Sequence, residues 1–166
     1  MGCPAGQAAL DGGAGGASWR AMERAATIIE TLGLERHPEG GWYRETWRGE
    51  DGPDGRAVGT AIHYLLDTGE FSHWHRVDAE ELWLWHAGAP LALSLSPDGH
   101  DAAAHVLGPE IGAGQHPQLR VPAMHWQSAT SLGAWTLVSC VVVPGFTFEG
   151  FEMAPPDWRP IPRPAR

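Results

Sequence analysis

The feature that most constrains this chain is its punctuation. Its 166 residues include 22 glycines and 14 prolines, too many for a helical bundle. From Trp42 onward they divide the chain into short apolar stretches rich in aromatic and β-branched residues. Candidate strands run over Trp42–Arg48, Val58–Leu66, Phe71–Val77, Glu81–Ala87, Leu91–Ser96, Ala103–Leu107, Gln118–Val121 and Ala134–Val143. Turn clusters such as Asp51-Gly52-Pro53-Asp54-Gly55 and Ser96-Pro97-Asp98-Gly99 separate them. Leu91, Leu93 and Leu95 alternate with smaller or polar residues, the mark of a half-buried strand. Short strands at this spacing predict an all-β sandwich or jelly-roll barrel. One helix precedes them: Ala25, Ile28, Ile29 and Leu32 share a face, Ser18 is placed to cap its start, and Gly33 suits its end. The segment 1–17, mostly Gly, Ala and small polar residues, is expected to be disordered. The folded domain is expected over 18–158, with a Pro-rich tail over 159–166.

Charge and cysteine content narrow the function. Acidic residues outnumber basic ones 20 to 11, for a formal charge of −9, and lysine is absent. Nucleic-acid backbones demand clustered cations, so nucleic acid is not an expected partner. No apolar run approaches the ~18 residues of a membrane span. Cys3 and Cys140 do not form a disulfide framework, and no signal peptide is apparent, which predicts a cytoplasmic protein.

The chemistry concentrates between Gly69 and Gly88. On a regular strand His73 and His75 point the same way, and a carboxylate, Glu81, follows after a short turn. Two imidazoles and a carboxylate converging from neighbouring strands make either a divalent-metal site or an acid/base pair. A bulge at Asp78–Ala79 would exchange Glu80 for Glu81. His63, between Ile62 and Tyr64, faces either the pocket or a covering layer. Trp83 and Trp85 share a face with Glu81, either walling a pocket or filling a core. Gly40-Gly41 reads as a turn, because no phosphate-loop Lys follows.

Gly69, His73, His75, Glu81 and Gly88 resemble the first cupin motif. A narrower match is more complete. His37-Pro38-Glu39-Gly40-Gly41-Trp42-Tyr43-Arg44-Glu45-Thr46 is similar to the opening signature of the small cupin-5 group, long described as a domain of unknown function. Next in order come Ile62-His63-Tyr64-Leu65-Leu66; Phe71, Ser72, His75, Arg76, Glu80, Glu81 and Trp83; and Gly88-Ala89-Pro90-Leu91. The series closes with Val121-Pro122, Trp126-Gln127 and the segment from Pro144 to Phe151. In the second cupin motif Gln127 stands where a ligand histidine is usual, and Met124 where a glycine is usual.

The resemblance implies a cupin jelly roll, a double-stranded β-helix barrel with one short N-terminal helix, assembled as a homodimer. It implies a small-molecule pocket, and by analogy with related barrels a sugar or sugar-phosphate isomerase or epimerase. The alternative is a non-catalytic cupin that binds or senses a metabolite. His75 and Glu81 are the expected catalytic pair. His63, Tyr43, Arg44, Arg76, Trp83 and Trp126 are expected to contact a sugar-like or anionic ligand, the arginines holding its charge. If one divalent metal (Mn, Fe, Ni or Zn) is present, His75, Glu81, Gln127 and His73 are its expected ligands.

Overall fold

The computed structural model describes residues 24–164. The expected disordered tail, Cys3 and the Ser18 cap lie outside the described residues. Helix α1, described over residues 24–32, lays Ala25, Ile28, Ile29 and Leu32 against Leu65 and Trp135 on the back of a sheet. Gly33 ends it at φ +61°. The Leu34 N–H reaches back to the Ile29 carbonyl at 2.9 Å and the Gly33 N–H to that of Glu30 at 3.1 Å, the paired bonds that close many helices.

Eleven strands come after it: β1 (Glu35–Arg36), β2 (Trp42–Arg48), β3 (Thr60–Asp67), β4 (Phe71–Val77), β5 (Glu80–Gly88), β6 (Leu91–Ser96), β7 (Ala103–Leu107), β8 (Gln118–Val121), β9 (Trp126–Ser131), β10 (Trp135–Val143) and β11 (Phe151–Met153). They form the expected all-β jelly roll. One sheet has the order β1-β2-β3-β10-β5-β8 and the other β11-β4-β9-β6-β7. The pairings within both sheets are antiparallel. Three of these strands carried no apolar run that marked them in the sequence: β1, β9 and β11.

The sheets face each other around Tyr64, Leu66, Trp83, Leu91, Leu93 and Val138, all buried. That core closes one end of the barrel, so polar residues on the inner faces gather toward the other. The Pro-rich tail is held to the body. Trp158 stacks on Trp126 with centroids 4.4 Å apart, the Ile161 N–H bonds the Gly99 carbonyl at 3.0 Å, and Arg163 pairs with Asp98 and Asp101. No described helix is long and apolar enough to cross a membrane.

Candidate functional site

Two bulges decide which side chains enter the barrel. On β4, Ser72 pairs with Ala129 and His75 with Gln127, so three steps along β4 match two along β9. The extra residue turns both Ser72 and His75 inward, 0% and 2% exposed. It also turns His73 out, where its Nε2 faces the carbonyls of Ala154 and Pro155 at 3.2 and 3.0 Å. The expectation that His73 and His75 share a face is corrected: it assumed strict alternation, and the bulge breaks it. On β2 the register slips between Glu45 and Trp47. Tyr43, Glu45 and Arg48 therefore all line the cavity, Tyr43 half-buried and the exposed Glu45 and Arg48 at its rim.

The turn ahead of β2 supplies a residue that sequence reasoning did not select. The His37 N–H bonds the Gly41 carbonyl and the Gly40 N–H the His37 carbonyl, both at 3.1 Å. Gly40 sits at φ +110°, where a Cβ would collide with the Phe71 carbonyl oxygen. Only glycine lets the turn lie this close to β4. The His73 N–H bonds the Glu39 carbonyl at 2.8 Å, and the Tyr64 hydroxyl bonds that of Gly40 at 2.7 Å. So pinned, Glu39 points into the barrel, 8% exposed.

The result is a cavity of about 460 Å³, within the usual range for small ligands. His37, Glu39, His75, Glu81 and Cys140 form its deeper part, and Phe146, Phe148 and Phe151 form one wall. The His75 Nδ1–H donates to the His73 carbonyl at 2.7 Å. A carbonyl only accepts, so this bond fixes the tautomer and leaves Nε2 as the free lone pair. That nitrogen lies 3.3 Å from Glu39 Oε2. Glu39 Oε1 accepts the Ser72 hydroxyl at 2.9 Å. Burial pushes the Glu39 carboxyl up and pulls the His75 imidazole down. Both shifts have the same cause: burial disfavours the carboxylate and the imidazolium alike, and so moves the pair toward its uncharged form.

Glu81 is also pushed up by burial, while Glu80 is exposed and paired with Arg120 at 2.8 Å. The alternative between them resolves in favour of Glu81. Its Oε2 accepts the Gln127 amide at 2.6 Å, and Gln127 Oε1 accepts the Trp83 indole N–H at 3.0 Å. An indole N–H can only donate, so Trp83 dictates which way the amide points. Gln127 thus turns its NH₂ toward Glu81.

These residues do not fit the expected metal. Gln127 offers a donor hydrogen and not an oxygen, His73 lies outside, and among the described residues no group of three His, Cys, Asp or Glu has ligand geometry. The expected ligand set of His75, Glu81, Gln127 and His73 is therefore not assembled.

The remaining expected contacts divide. Tyr43 lines the cavity, its ring meeting His37 edge to face at 4.6 Å. Trp83 is core, 1% exposed. Trp126 lies under Trp158 and under the Arg76 guanidinium, 4.6 Å from its ring. Arg76 is held by Glu152 at 2.7 Å. Arg44 caps α1, its Nη1 bonding the Leu32 carbonyl at 3.0 Å. His63 is on the outer face, where it and His86 bracket the Ser139 hydroxyl at 3.3 and 2.7 Å. Neither Arg44 nor Arg76 is placed to hold an anionic ligand in the cavity, because neighbouring strand residues face opposite sides and both fall on the outer one. Sequence reasoning missed His37, Glu39, Arg48 and the phenylalanine wall. The signal for the first two was present: a His and a Glu within a Gly-Gly turn that opens the signature.

Comparison with known proteins agrees with this architecture. The Cupin_5 description, "Cupin superfamily (DUF985)", matches residues 26–154. A solved protein of Shewanella oneidensis is 39% identical, with 78% of this chain and 84% of that one aligned at a TM-score of 0.75. A hypothetical protein from Leishmania major is 31% identical over 78% and 86%, at 0.71. Oxalate decarboxylase from Bacillus subtilis shares the fold at 13% identity, with 71% of this chain aligned to 29% of that one at 0.55. No curated protein matches the chain.

Proposed function

The chain belongs to the Cupin_5 family of the cupin superfamily, and on that premise we propose that its cavity is a metal-independent acid/base site. It moves a proton between adjacent carbons of a hydroxylated, sugar-like carbonyl compound, as isomerases and epimerases do. The observation that carries this reading is the buried His75–Glu39 pair, Nε2 to Oε2 at 3.3 Å, facing a ligand-sized cavity. An unprotonated Nε2 accepts the proton from the carbon beside the carbonyl. The Glu39 acid passes its proton to the carbonyl oxygen, giving a neutral enediol beside an imidazolium and a carboxylate. Return of the imidazolium proton to the neighbouring carbon, and of a hydroxyl proton to Glu39, restores both groups. Glu81, held by Gln127, supports the charged imidazole during the cycle.

The experiment incubates the protein in D₂O with a panel of free, amino and phosphorylated aldoses, reading deuterium at the carbon beside the carbonyl. Wild-type protein is expected to exchange at least one member. His75→Gln and Glu39→Gln each lose the exchange, by about 10²-fold or more. Thermal stabilisation by a compound that exchanges no deuterium would instead establish a non-catalytic cupin that binds or senses a metabolite. The homodimer implied by family resemblance belongs to the same proposal. Sedimentation at twice the chain mass checks it.

A further inference from the structure

The charge lining this cavity has a direction. Glu35, Glu45 and Glu149 stand toward its mouth and Glu39 and Glu81 inside, against one cation, Arg48. That cation is not free. Arg48 Nε and Nη2 hold both oxygens of Glu45 at 3.1 and 2.7 Å. Other arginines are spent elsewhere: Arg36 on Glu70, Arg44 on the end of α1, Arg76 on Glu152, and Arg56 on Asp78 and the Gly145 carbonyl. The chain has no lysine to substitute for them. The two histidines inside, His37 and His75, are both drawn toward the neutral form by burial. A phosphate or carboxylate entering here would shed its hydration beside carboxyl groups and meet no unpaired cation.

The apolar wall points the same way. Phe146 meets Phe148 and Phe151 edge to face, with centroids at 5.2 and 5.8 Å, and Phe148 is 58% exposed beside Glu149. Ring faces next to carboxylates attract ammonium groups through two additive effects, quadrupole and charge.

Resting on the acid/base reading of the same cavity, we infer that its natural ligand is a hydroxylated carbonyl compound carrying a protonated amine. This replaces the sugar phosphate or other anion expected from sequence. The ammonium sits between the rim glutamates and the phenylalanine wall, leaving the carbonyl end for His75 and Glu39.

The test is calorimetric titration of the full chain with two sets of related compounds of different charge: glucosamine, glucose and glucose 6-phosphate, then benzylamine, benzyl alcohol and benzoate. The amine is expected to bind about tenfold or more tightly than the neutral member of its set. The anion is expected to bind weakest, and the preference to shrink with added salt. Glu149→Gln lowers the amine preference, and Glu45→Gln releases Arg48 and raises affinity for glucose 6-phosphate. Equal or tighter binding of a neutral or anionic member overturns the inference, as does failure of both amines to bind. Deuterium exchange separates this inference from the catalytic proposal. An amine preference without exchange keeps the charge assignment and removes the chemistry. Exchange confined to neutral or phosphorylated sugars does the reverse.

Discussion

Single side chains in this barrel are decided by what their partners can donate. Trp83 can only give a hydrogen bond, and that fixes Gln127, which in turn orients Glu81. Removing the Gln127 amide would leave both neighbours unmatched in a buried setting, a cost of about 1–3 kcal/mol each. The His75–Glu39 pair also makes stability depend on pH, with opposite signs for its members. His75 is depressed, so its contribution is full above the ordinary histidine value of 6.5 and is lost as pH falls below it. Glu39 is raised, so its contribution is full below 4.5 and is lost as pH rises through its elevated value. Denaturant titrations across pH should therefore show His75→Gln gaining on wild type as acid is added. Glu39→Gln should gain on wild type as base is added. Parallel pH profiles for wild type and both variants would contradict the opposite shifts that burial imposes on the pair.

Elements differ in how openly the sequence announces them. Strands β2, β4, β6, β7 and β8 begin and end where their apolar and turn residues predict. Strand β9 does not stand out, because Trp126-Gln-Ser-Ala-Thr-Ser131 is mostly small and polar. It is nevertheless paired on both sides, by β4 and β6. Bulges are equally silent: an extra residue in β4 has no composition of its own, yet it separates His73 from His75. The turn before β2 is visible as Gly40-Gly41, but its consequence, the burial of Glu39, depends on contact with β4. Met124, at the glycine position of the broader motif, takes φ +63°, a strained setting for a side chain. The Gly40 turn gives a direct test. Gly40→Ala must push the turn off the Phe71 carbonyl, so both stability and deuterium exchange should fall. At Gly33 the atom in the way is the tip of the Arg44 side chain, so Gly33→Ala should lower stability by about 1–2 kcal/mol, the cost of a Cβ in the left-handed region, and spare exchange. Equal effects at the two sites in denaturation and exchange assays would show that Glu39 does not rely on this turn.

At the scale of the molecule, the two sheets divide the interior into an apolar end and a polar end. The cavity occupies the end where Glu81, Thr60 and Val77 lie, opposite the leucine-filled end around Leu91 and Leu107. Because that polar end lacks a converged ligand set among the described residues, adding Mn²⁺, Fe²⁺, Ni²⁺ or Zn²⁺ should leave the melting temperature unchanged. A ligand present at 100 times its dissociation constant would add about 2.7 kcal/mol of stability, which scanning calorimetry would register clearly.

By itself the sequence determined the all-β class, the helix before the strands and its Gly33 ending, most strand positions, and the family signature. It also singled out His75 and Glu81, both of which line the cavity. Those are local properties: alternation, turn residues and helical spacing act over a few positions and are written in them. Only the tertiary structure decided that Glu39 faces His75, that His73, Arg44 and Arg76 turn outward, and that Gln127 presents its amide hydrogens. Each of these rests on register or on a partner distant in sequence. A one-residue slip in a strand reverses the face of every later residue in it, and a hydrogen-bond partner across the barrel sets the orientation of an amide.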